Sequence, residues 1–352
     1  MKERVHWIDV AKGLMMIGMV LNHIINYSAK MGVDISSFPW GEVGSVYGVF
    51  TMQSFFILSG YTTNFNHKFK TFMWKQVKGL LVPYVSFMLI CSLIAYLVWG
   101  EPLVEEMYGE NYFFLVEGYW FLTALFLAKV IMFLISKVSK SKVIELCGGI
   151  LLLVIGISIS EYYSDMPEPS HWHNYFHYRN GLCMAVFLPI GYYLKEYKVV
   201  ERHGLKIGLV YCVLYCVTYL MTLLDIQGYQ YLAAPSYTHY LVPNLSEVNG
   251  FMLIPSYLFY TVAGSVLVFW VSQKIVLSGF LEFLGRTSLI IYCVHFTFLK
   301  LFAMLLSSFI NYEGMIRGGV FFAILAILTL LASGGIAIIF ERRPFSYLTG
   351  KF

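Results

Sequence analysis

Long apolar segments alternate with short polar ones along the whole chain, which has 352 residues. A helix that spans a membrane needs about 20 mostly apolar residues, and ten segments approach this length, with ends accurate to several residues. We therefore predict an all-α integral membrane protein with about ten transmembrane helices. It would form one transmembrane domain over residues 1–352, without a soluble appendage. The predicted spans are residues 6–28, 44–64, 79–99, 119–137, 143–160, 181–195, 205–224, 252–273, 283–308 and 316–341.

Composition excludes the main alternatives to a membrane protein. Hydrophobic residues make up 59% of the chain and charged residues 12%, whereas soluble globular proteins have about 45–50% and about 25%. A disordered chain would not carry so many apolar side chains. The net charge of +4 is small, and we expect no nucleic-acid partner. The six cysteines lie in apolar segments without regular spacing, so we interpret them as buried thiols.

Basic residues set the predicted orientation. Most of the 24 Lys and Arg residues fall in segments on the same side as the N-terminus, and short loops rich in Lys and Arg lie in the cytoplasm. Ten spans place both ends of the chain on one side. We therefore predict that both termini are cytoplasmic.

The first predicted span contains ionisable side chains, which are costly inside a membrane and therefore indicate function. Asp9 and Lys12 lie three residues apart on one face near the cytoplasmic end, where they form either part of a site or an interfacial ion pair. His23 follows Lys12 by 11 residues, which is a rise of about 16 Å and places both side chains on one face. The first span thus links a basic inner end to a histidine in the outer half of the membrane.

His23 and His295 lie at overlapping depth inside the first and ninth predicted spans. A neutral imidazole can act as a general base or a nucleophile at physiological pH. The alternative for each histidine is a structural hydrogen bond to a neighbouring helix. Two histidines at similar depth favour a shared polar cavity.

A pair of lysines, Lys75 and Lys78, lies at the cytoplasmic mouth of the third predicted span, within a loop that we place at residues 68–78. Lysines three residues apart share a helical face, where they could dock a polyanionic ligand from the cytosol. The segment Ser59-Gly60-Tyr61 ends the second predicted span on the same side. These residues indicate a donor-binding surface on the inner side.

The histidine-rich segment at residues 171–177 has a spacing that resembles that of metal ligands. Structural metal sites combine such histidines with Cys or carboxylate ligands, and the segment lacks an ordered partner of either kind. We therefore expect no metal site.

Several motifs, in the order in which they occur, resemble the acyltransferase-3 family of integral membrane acyltransferases. Lys12 and His23 match its signature of a basic residue, ten spacers and a histidine. The pair Lys75 and Lys78 resembles its paired-basic loop, with lysines in place of arginines. Further segments that are similar to family motifs are Phe55–Tyr61, Tyr119–Leu122, Leu188–Tyr192, Leu284–His295 and Glu341–Phe345.

The last of these motifs resemble most closely the branch called fucose 4-O-acetylase-like. One segment departs from the family pattern: many members carry F-H-M-P before the F-F-x-x-S-G segment, and here residues 50–53 read F-T-M-Q. A second histidine near the outer mouth is therefore missing. Its role, if any, passes to Thr51, Gln53 or His295.

The resemblance implies transfer of an acyl group, usually acetyl from acetyl-CoA, to a hydroxyl of a surface or envelope carbohydrate. Catalysis is assigned to His23 as general base and to His295. Acyl-CoA contacts are assigned to Lys12, Lys75, Lys78, Ser59, Tyr61 and Asp9. Acceptor contacts are assigned to Trp120, Thr51, Gln53 and Asn26.

The resemblance also implies the partners and the location. Acetyl-CoA would be a co-substrate, with no bound cofactor, and the acceptor would be a surface polysaccharide or a lipid-linked sugar. The third partner is the lipid bilayer itself. We expect a multi-pass protein of the plasma (inner) membrane of a bacterium.

Two alternatives concern mechanism and function. An acetyl-histidine intermediate is the alternative to direct transfer. A proton-coupled secondary transporter of a small polar or sugar-like molecule is the alternative function, since transporters also carry intramembrane His and Asp. A membrane sensor or assembly partner is a third possibility. An enzyme binds acyl-CoA and needs His23 for turnover, whereas a transporter leaves its substrate unmodified.

Overall fold

The computed structural model describes residues 5–27, 40–100, 119–139, 141–164, 176–224, 254–275, 278–310 and 314–351. Within these ranges every regular element is a helix. Eight helices among the described residues are long and apolar enough to cross a membrane. The predicted fold class, an all-α integral membrane protein, is therefore confirmed. The number of ten spans and the cytoplasmic termini stay predictions.

The helices of the N-terminal half are α1 (His6–Tyr27), α2 (Trp40–Thr62), α3 (Phe69–Gln76), a π turn (Val77–Leu81), α4 (Val82–Trp99), α5 (Trp120–Val138) and α6 (Lys142–Ser164). Those of the C-terminal half are α7 (Tyr178–Met184), α8 (Phe187–Glu196), α9 (Val199–Leu223), α10 (Ile254–Lys274), α11 (Gly279–Arg286), α12 (Ser288–Ser307), α13 (Met315–Phe340) and a 3₁₀ turn (Phe345–Thr349).

The sixth predicted span, residues 181–195, is built from two short helices, α7 and α8. Pro189 explains the interruption, because it has no N–H to donate to the carbonyl of Ala185 and is tolerated in the first turn of a new helix. The apolar run is therefore continuous in the sequence, but the helix that it forms is interrupted between α7 and α8.

The predicted cytoplasmic loop at residues 68–78 is helical from Phe69 onward. No glycine or proline interrupts this stretch, and Phe72 stacks on Phe133 with ring centroids 4.2 Å apart. The prediction of a loop was therefore wrong, since an aromatic side chain anchors the segment as a helix. Lys75 and Lys78 consequently lie on a helical extension of α4.

The chain divides into two compact units, each assembled from segments that are distant in sequence. The first unit contains residues 1–11, 45–73 and 123–277. In it, α9 packs against α10, while α8 packs against both α6 and α9. The second unit contains residues 12–44, 74–122 and 278–352. In it, α12 packs against α4, α11 and α13.

Helices α2 and α8 of the first unit cross where each has a glycine. A Cβ at Gly60 would overlap the carbonyl oxygen of Leu188, and a Cβ at Gly191 would overlap that of Ile57. Small residues at such crossings let helix backbones approach closely in membrane proteins. One packing contact thus explains the glycine in each of these two motif segments.

Replacing Gly60 or Gly191 by alanine is expected to destabilise the protein by about 1–3 kcal/mol, because the added methyl group meets backbone that cannot rotate away. Thermal unfolding of the protein in detergent measures the effect. Gly335→Ala is the control, since a Cβ at Gly335 on α13 meets nothing within 4 Å. Equal melting temperatures for all three variants would contradict the close crossing.

Candidate active site

A pair of buried histidines lies in the second unit. α1 supplies His23 and α12 supplies His295, and their ring centroids are 5.0 Å apart with 61° between the ring planes. The exposed fraction is 6% for His23 and 0% for His295. The structure therefore brings together the two histidines that the sequence assigns to catalysis, although they are more than 270 residues apart.

Aromatic side chains pack beside the histidine pair. The ring of Phe296 lies 4.4 Å from that of His23 and 4.4 Å from that of His295, measured between centroids. Tyr292 lies 6.0 Å from His295. Apolar walls of this kind lower the local dielectric and strengthen the polar interactions that form inside them.

The hydrogen bonds of His295 define the positions of its protons. Its Nδ1 lies 2.7 Å from the carbonyl oxygen of Tyr292 and 3.3 Å from that of Ile291. A carbonyl oxygen can only accept, so Nδ1 carries a hydrogen and donates it. In the neutral ring, Nε2 then holds the lone pair. This Nε2 is buried and has no hydrogen-bond partner among the residues that the structure describes. His295 therefore carries a buried lone pair that can accept a proton.

Neighbouring helices hold the segment of α12 that carries His295. The Tyr119 hydroxyl donates to the carbonyl of Cys293 at 2.7 Å, and the thiol of Cys91 donates to the same carbonyl at 3.7 Å. The backbone N–H of Phe121 donates to the Tyr292 hydroxyl at 3.1 Å. Of the six cysteines predicted to be buried thiols, Cys91, Cys183 and Cys293 are buried, and the prediction is wrong for Cys147, Cys212 and Cys216, which are exposed on the surfaces of their apolar helices.

The predicted donor-binding cations Lys12, Lys75 and Lys78 all belong to the second unit. Lys75 is exposed, while Lys12 and Lys78 are half-buried. The amine of Lys78 lies 5.1 Å from the ring centroid of Trp74, within range of a cation–π interaction. Lys12 and His23 share the continuous helix α1.

The other predicted donor contacts, Asp9, Ser59 and Tyr61, belong to the first unit. The Tyr61 ring packs edge-on against Trp7, with centroids 5.4 Å apart. The amine of Lys195 lies 3.1 Å from the Tyr61 carbonyl oxygen, to which it donates. Asp9 is buried and Ser59 is half-buried. Packing explains the position of Tyr61, and a contact of these three residues with acyl-CoA stays a prediction.

Two of the predicted acceptor contacts lie in the first unit and two in the second. Gln53 is fully buried, and its Nε2 donates to the Tyr257 hydroxyl at 3.3 Å. Thr51 is also buried. In the second unit Trp120 is buried and packs edge-on against Phe121, with centroids 6.2 Å apart. Asn26 lies in the last turn of α1, and its side chain is outside the described residues.

Sequence reasoning missed the groups that orient His295. The carbonyls of Tyr292 and Ile291 carry no signature, because every residue has a carbonyl. Phe296 looks like any lipid-facing phenylalanine in an apolar helix. A helical projection from His295 would have identified positions 291 and 292, since residues three and four apart share a face.

The described part of the chain contains no group of three or more His, Cys, Asp or Glu side chains that could hold a metal ion, and the expectation of no metal site stays a prediction. Most of the histidine-rich segment at 171–177 lies outside the described residues.

A family model described as an acyltransferase domain, that of the acyltransferase-3 family, matches residues 5–338. This match and the apolar helices together define a multi-pass membrane acyltransferase. The chain belongs to the acyltransferase-3 family. No curated protein and no solved structure matches the chain significantly. The motif resemblance is thus confirmed for the family, and the fucose 4-O-acetylase-like branch stays a prediction.

Proposed function

We propose that the protein transfers an acetyl group from cytosolic acetyl-CoA to a hydroxyl of a cell-envelope or exopolysaccharide sugar, with His23 as general base. The observation that carries the proposal is the buried histidine pair in a member of an acyltransferase family. The proposed setting is the plasma (inner) membrane of a bacterium, and the proposed branch is the fucose 4-O-acetylase-like one.

The reaction needs a base that removes one proton. An imidazole nitrogen of His23 takes the proton of the acceptor hydroxyl as its oxygen attacks the thioester carbonyl. The C–S bond breaks, the new C–O ester bond remains, and the CoA sulfur recovers the proton from His23. General base catalysis of this kind contributes about 10²- to 10⁴-fold.

The proposed role of His295 follows from its lone pair. Once His23 is protonated, its ring N–H can donate to Nε2 of His295, which spreads the positive charge over two rings. Hydrogen bonds to charged groups are about twice as strong as neutral ones, and the burial of both histidines limits competition from water. His295 is therefore the second catalytic group.

The proposed donor path follows α1. The phosphates of acetyl-CoA would bind Lys12, Lys75 and Lys78 on the inner side, as polyanions bind clustered cations. The rise from Lys12 to His23, about 16 Å, would be spanned by the pantetheine arm, which brings the thioester to the histidine pair. Asp9, Ser59 and Tyr61 are proposed as further donor contacts.

The acceptor would reach the histidine pair from the outer side. Its proposed contacts combine an aromatic ring, on which a sugar can stack, with side chains that hydrogen-bond hydroxyls. These residues are Trp120, Thr51, Gln53 and Asn26.

The test is acetyl transfer by the purified protein in nanodiscs with radiolabelled acetyl-CoA and an envelope glycan fraction. We expect label in the glycan and free CoA in equal amounts. The proposal would be overturned if the acetyl label stayed on CoA and the protein did not bind CoA. Unmodified sugar accumulating in vesicles under a proton gradient would instead identify a transporter. Label that is trapped on the protein would identify an acetyl-histidine intermediate.

Replacing both Lys75 and Lys78 by glutamine is expected to raise the KM for acetyl-CoA by about 10- to 100-fold, because two contacts to charged phosphates are lost, each screened by solvent to about 1 kcal/mol. The measurement is initial rate against acetyl-CoA concentration at two salt concentrations. The wild-type KM should rise with salt, and that of the variant should rise less. The matched control is Lys68→Gln with Lys70→Gln, two exposed lysines of the same segment. An equal KM in both double variants would contradict the assignment.

A further inference from the structure

The segment that follows α13, residues Glu341–Lys351, forms an ordered C-terminal tail. Its 3₁₀ turn packs against α4 and α13, and Ser346 and Thr349 are buried. The backbone N–H of Ser346 donates to the Arg342 carbonyl at 2.9 Å, and that of Lys351 donates to the Ser346 carbonyl at 3.1 Å. The C-terminal tail is therefore a folded part of the second unit.

One residue of the C-terminal tail, Gly350, lies directly against the backbone of Lys78. Gly350 has a φ of +75°, a conformation that favours glycine. A Cβ at this position would overlap the carbonyl oxygen of Lys78. The hydrogen that occupies this direction instead points at the oxygen, which is the geometry of a weak Cα–H···O contact. Glycine is thus required here both for its φ and for the space beside Lys78.

The backbone that Gly350 contacts is irregular. Lys78 lies in the π turn Val77–Leu81, where the N–H of Val82 donates to the Val77 carbonyl five residues back. The next residue, Pro83, has no N–H. Short π segments within α-helices frequently occur at functional sites. The C-terminal tail therefore packs against this turn at the backbone of Lys78.

The C-terminal tail also brings positive charge to the second unit. Arg342, Arg343 and Lys351 are exposed. The amine of Lys351 lies 3.4 Å from a carboxylate oxygen of Glu341, so the charges of these two residues offset each other. Arg342 and Arg343 leave the C-terminal tail cationic. Clustered cations raise the local concentration of a polyanion and speed its binding.

We propose that the C-terminal tail is part of the acyl-CoA site. Gly350 fixes the π turn so that Lys75 and Lys78 hold the phosphates of the donor, and Arg342 and Arg343 add attraction for the same phosphates. Gly350 is thus a positioning residue, and the two arginines are additional binding residues. This inference rests on the proposed function, because it assigns the same donor to the inner side.

The first test compares two glycine substitutions that differ in one respect. Gly350→Ala introduces both strain at φ +75° and an overlap with Lys78, whereas Gly100→Ala introduces strain at φ +70° with nothing within 4 Å. We expect Gly350→Ala to raise the Kd for CoA and the KM for acetyl-CoA about tenfold, with a far smaller change in kcat. Gly100→Ala should leave both constants unchanged. Thermal unfolding of both variants corrects for loss of folded protein.

The second test removes charge while it keeps the backbone contacts of the C-terminal tail, at the cost of one cation–π contact between Arg343 and Tyr347. The double variant Arg342→Gln with Arg343→Gln should raise the Kd for CoA several-fold at low salt, and the difference from wild type should shrink as salt is added. This variant tests the inference even where Gly350→Ala does not fold. Binding of CoA that is equal in wild type and in every folded variant would overturn the inference alone. A wild-type protein that does not bind CoA would overturn the proposed function and the inference together.

Discussion

Replacing His23 by glutamine is expected to lower the rate of acetyl transfer by about 10²- to 10⁴-fold. Glutamine is polar and close in volume to histidine, so it fills the space beside Phe296, but its amide cannot take a proton from a hydroxyl. The measurement is kcat with labelled acetyl-CoA in nanodiscs at saturating acceptor. Binding of CoA should be unchanged, because His23 lies about 16 Å along α1 from Lys12.

The control for His23→Gln is the same substitution at His203, an exposed histidine on α9. His203→Gln should transfer acetyl at the wild-type rate. A His23→Gln protein that turns over normally would refute the assignment of the base, and His295 would then become the candidate. If His23→Gln loses both its activity and its thermal unfolding transition, the variant is unfolded. His23→Asn, a smaller polar replacement, then takes its place in the test.

Replacing His295 by asparagine is expected to lower kcat by about 10- to 100-fold, because one hydrogen bond to a charged group is lost. The amide N–H of asparagine can take the place of Nδ1–H and donate to the Tyr292 carbonyl. The substitution then removes the lone pair of Nε2 while it keeps the local backbone contact. The same transfer assay measures this loss, with thermal unfolding to show that the fold is retained.

A double-mutant cycle tests whether His23 and His295 act together or independently. If His295 acts by stabilising protonated His23, its lone pair is useless once His23 is absent. The double variant His23→Gln with His295→Asn should therefore be no slower than His23→Gln alone, since residues that act as a unit are strongly non-additive. Two losses that multiply would show that His295 acts independently of His23.

The fold class could be predicted from the sequence because it depends on bulk composition and on the length of apolar runs. Interruptions within those runs were harder to predict. The break between α7 and α8 depends on one missing N–H, at Pro189, in a stretch that stays apolar throughout. The extension of α4 back to Phe69 depends on the stacking of Phe72 on Phe133, a contact between residues that are far apart in sequence.

The sequence identified the histidine pair because an intramembrane histidine is rare and costly, which makes it conspicuous against apolar neighbours. It did not reveal the groups that orient and line the pair, since these are backbone carbonyls and ordinary aromatic rings. The glycines in the motif segments are the opposite case, because the sequence marks them but does not indicate their role. Gly60 and Gly191 belong to segments that resemble family motifs, yet their contacts in the structure are those of a helix crossing. The sequence pattern alone does not separate packing from chemistry.

The π turn at Val77–Leu81 has a geometric consequence for the basic pair. A π turn within a helix is equivalent to an α-helix that has taken in one additional residue. Each residue of an α-helix turns the chain by about 100°. Side chains before the π turn are therefore rotated by about that angle from the direction they would have if the α-helix continued without interruption. Lys75 lies before the π turn and the buried Phe87 lies after it, so the turn decides the angle between these two side chains about the helix axis. Insertion or deletion of one residue in this turn would rotate Lys75 about the helix axis, while the buried face of α4 keeps its orientation.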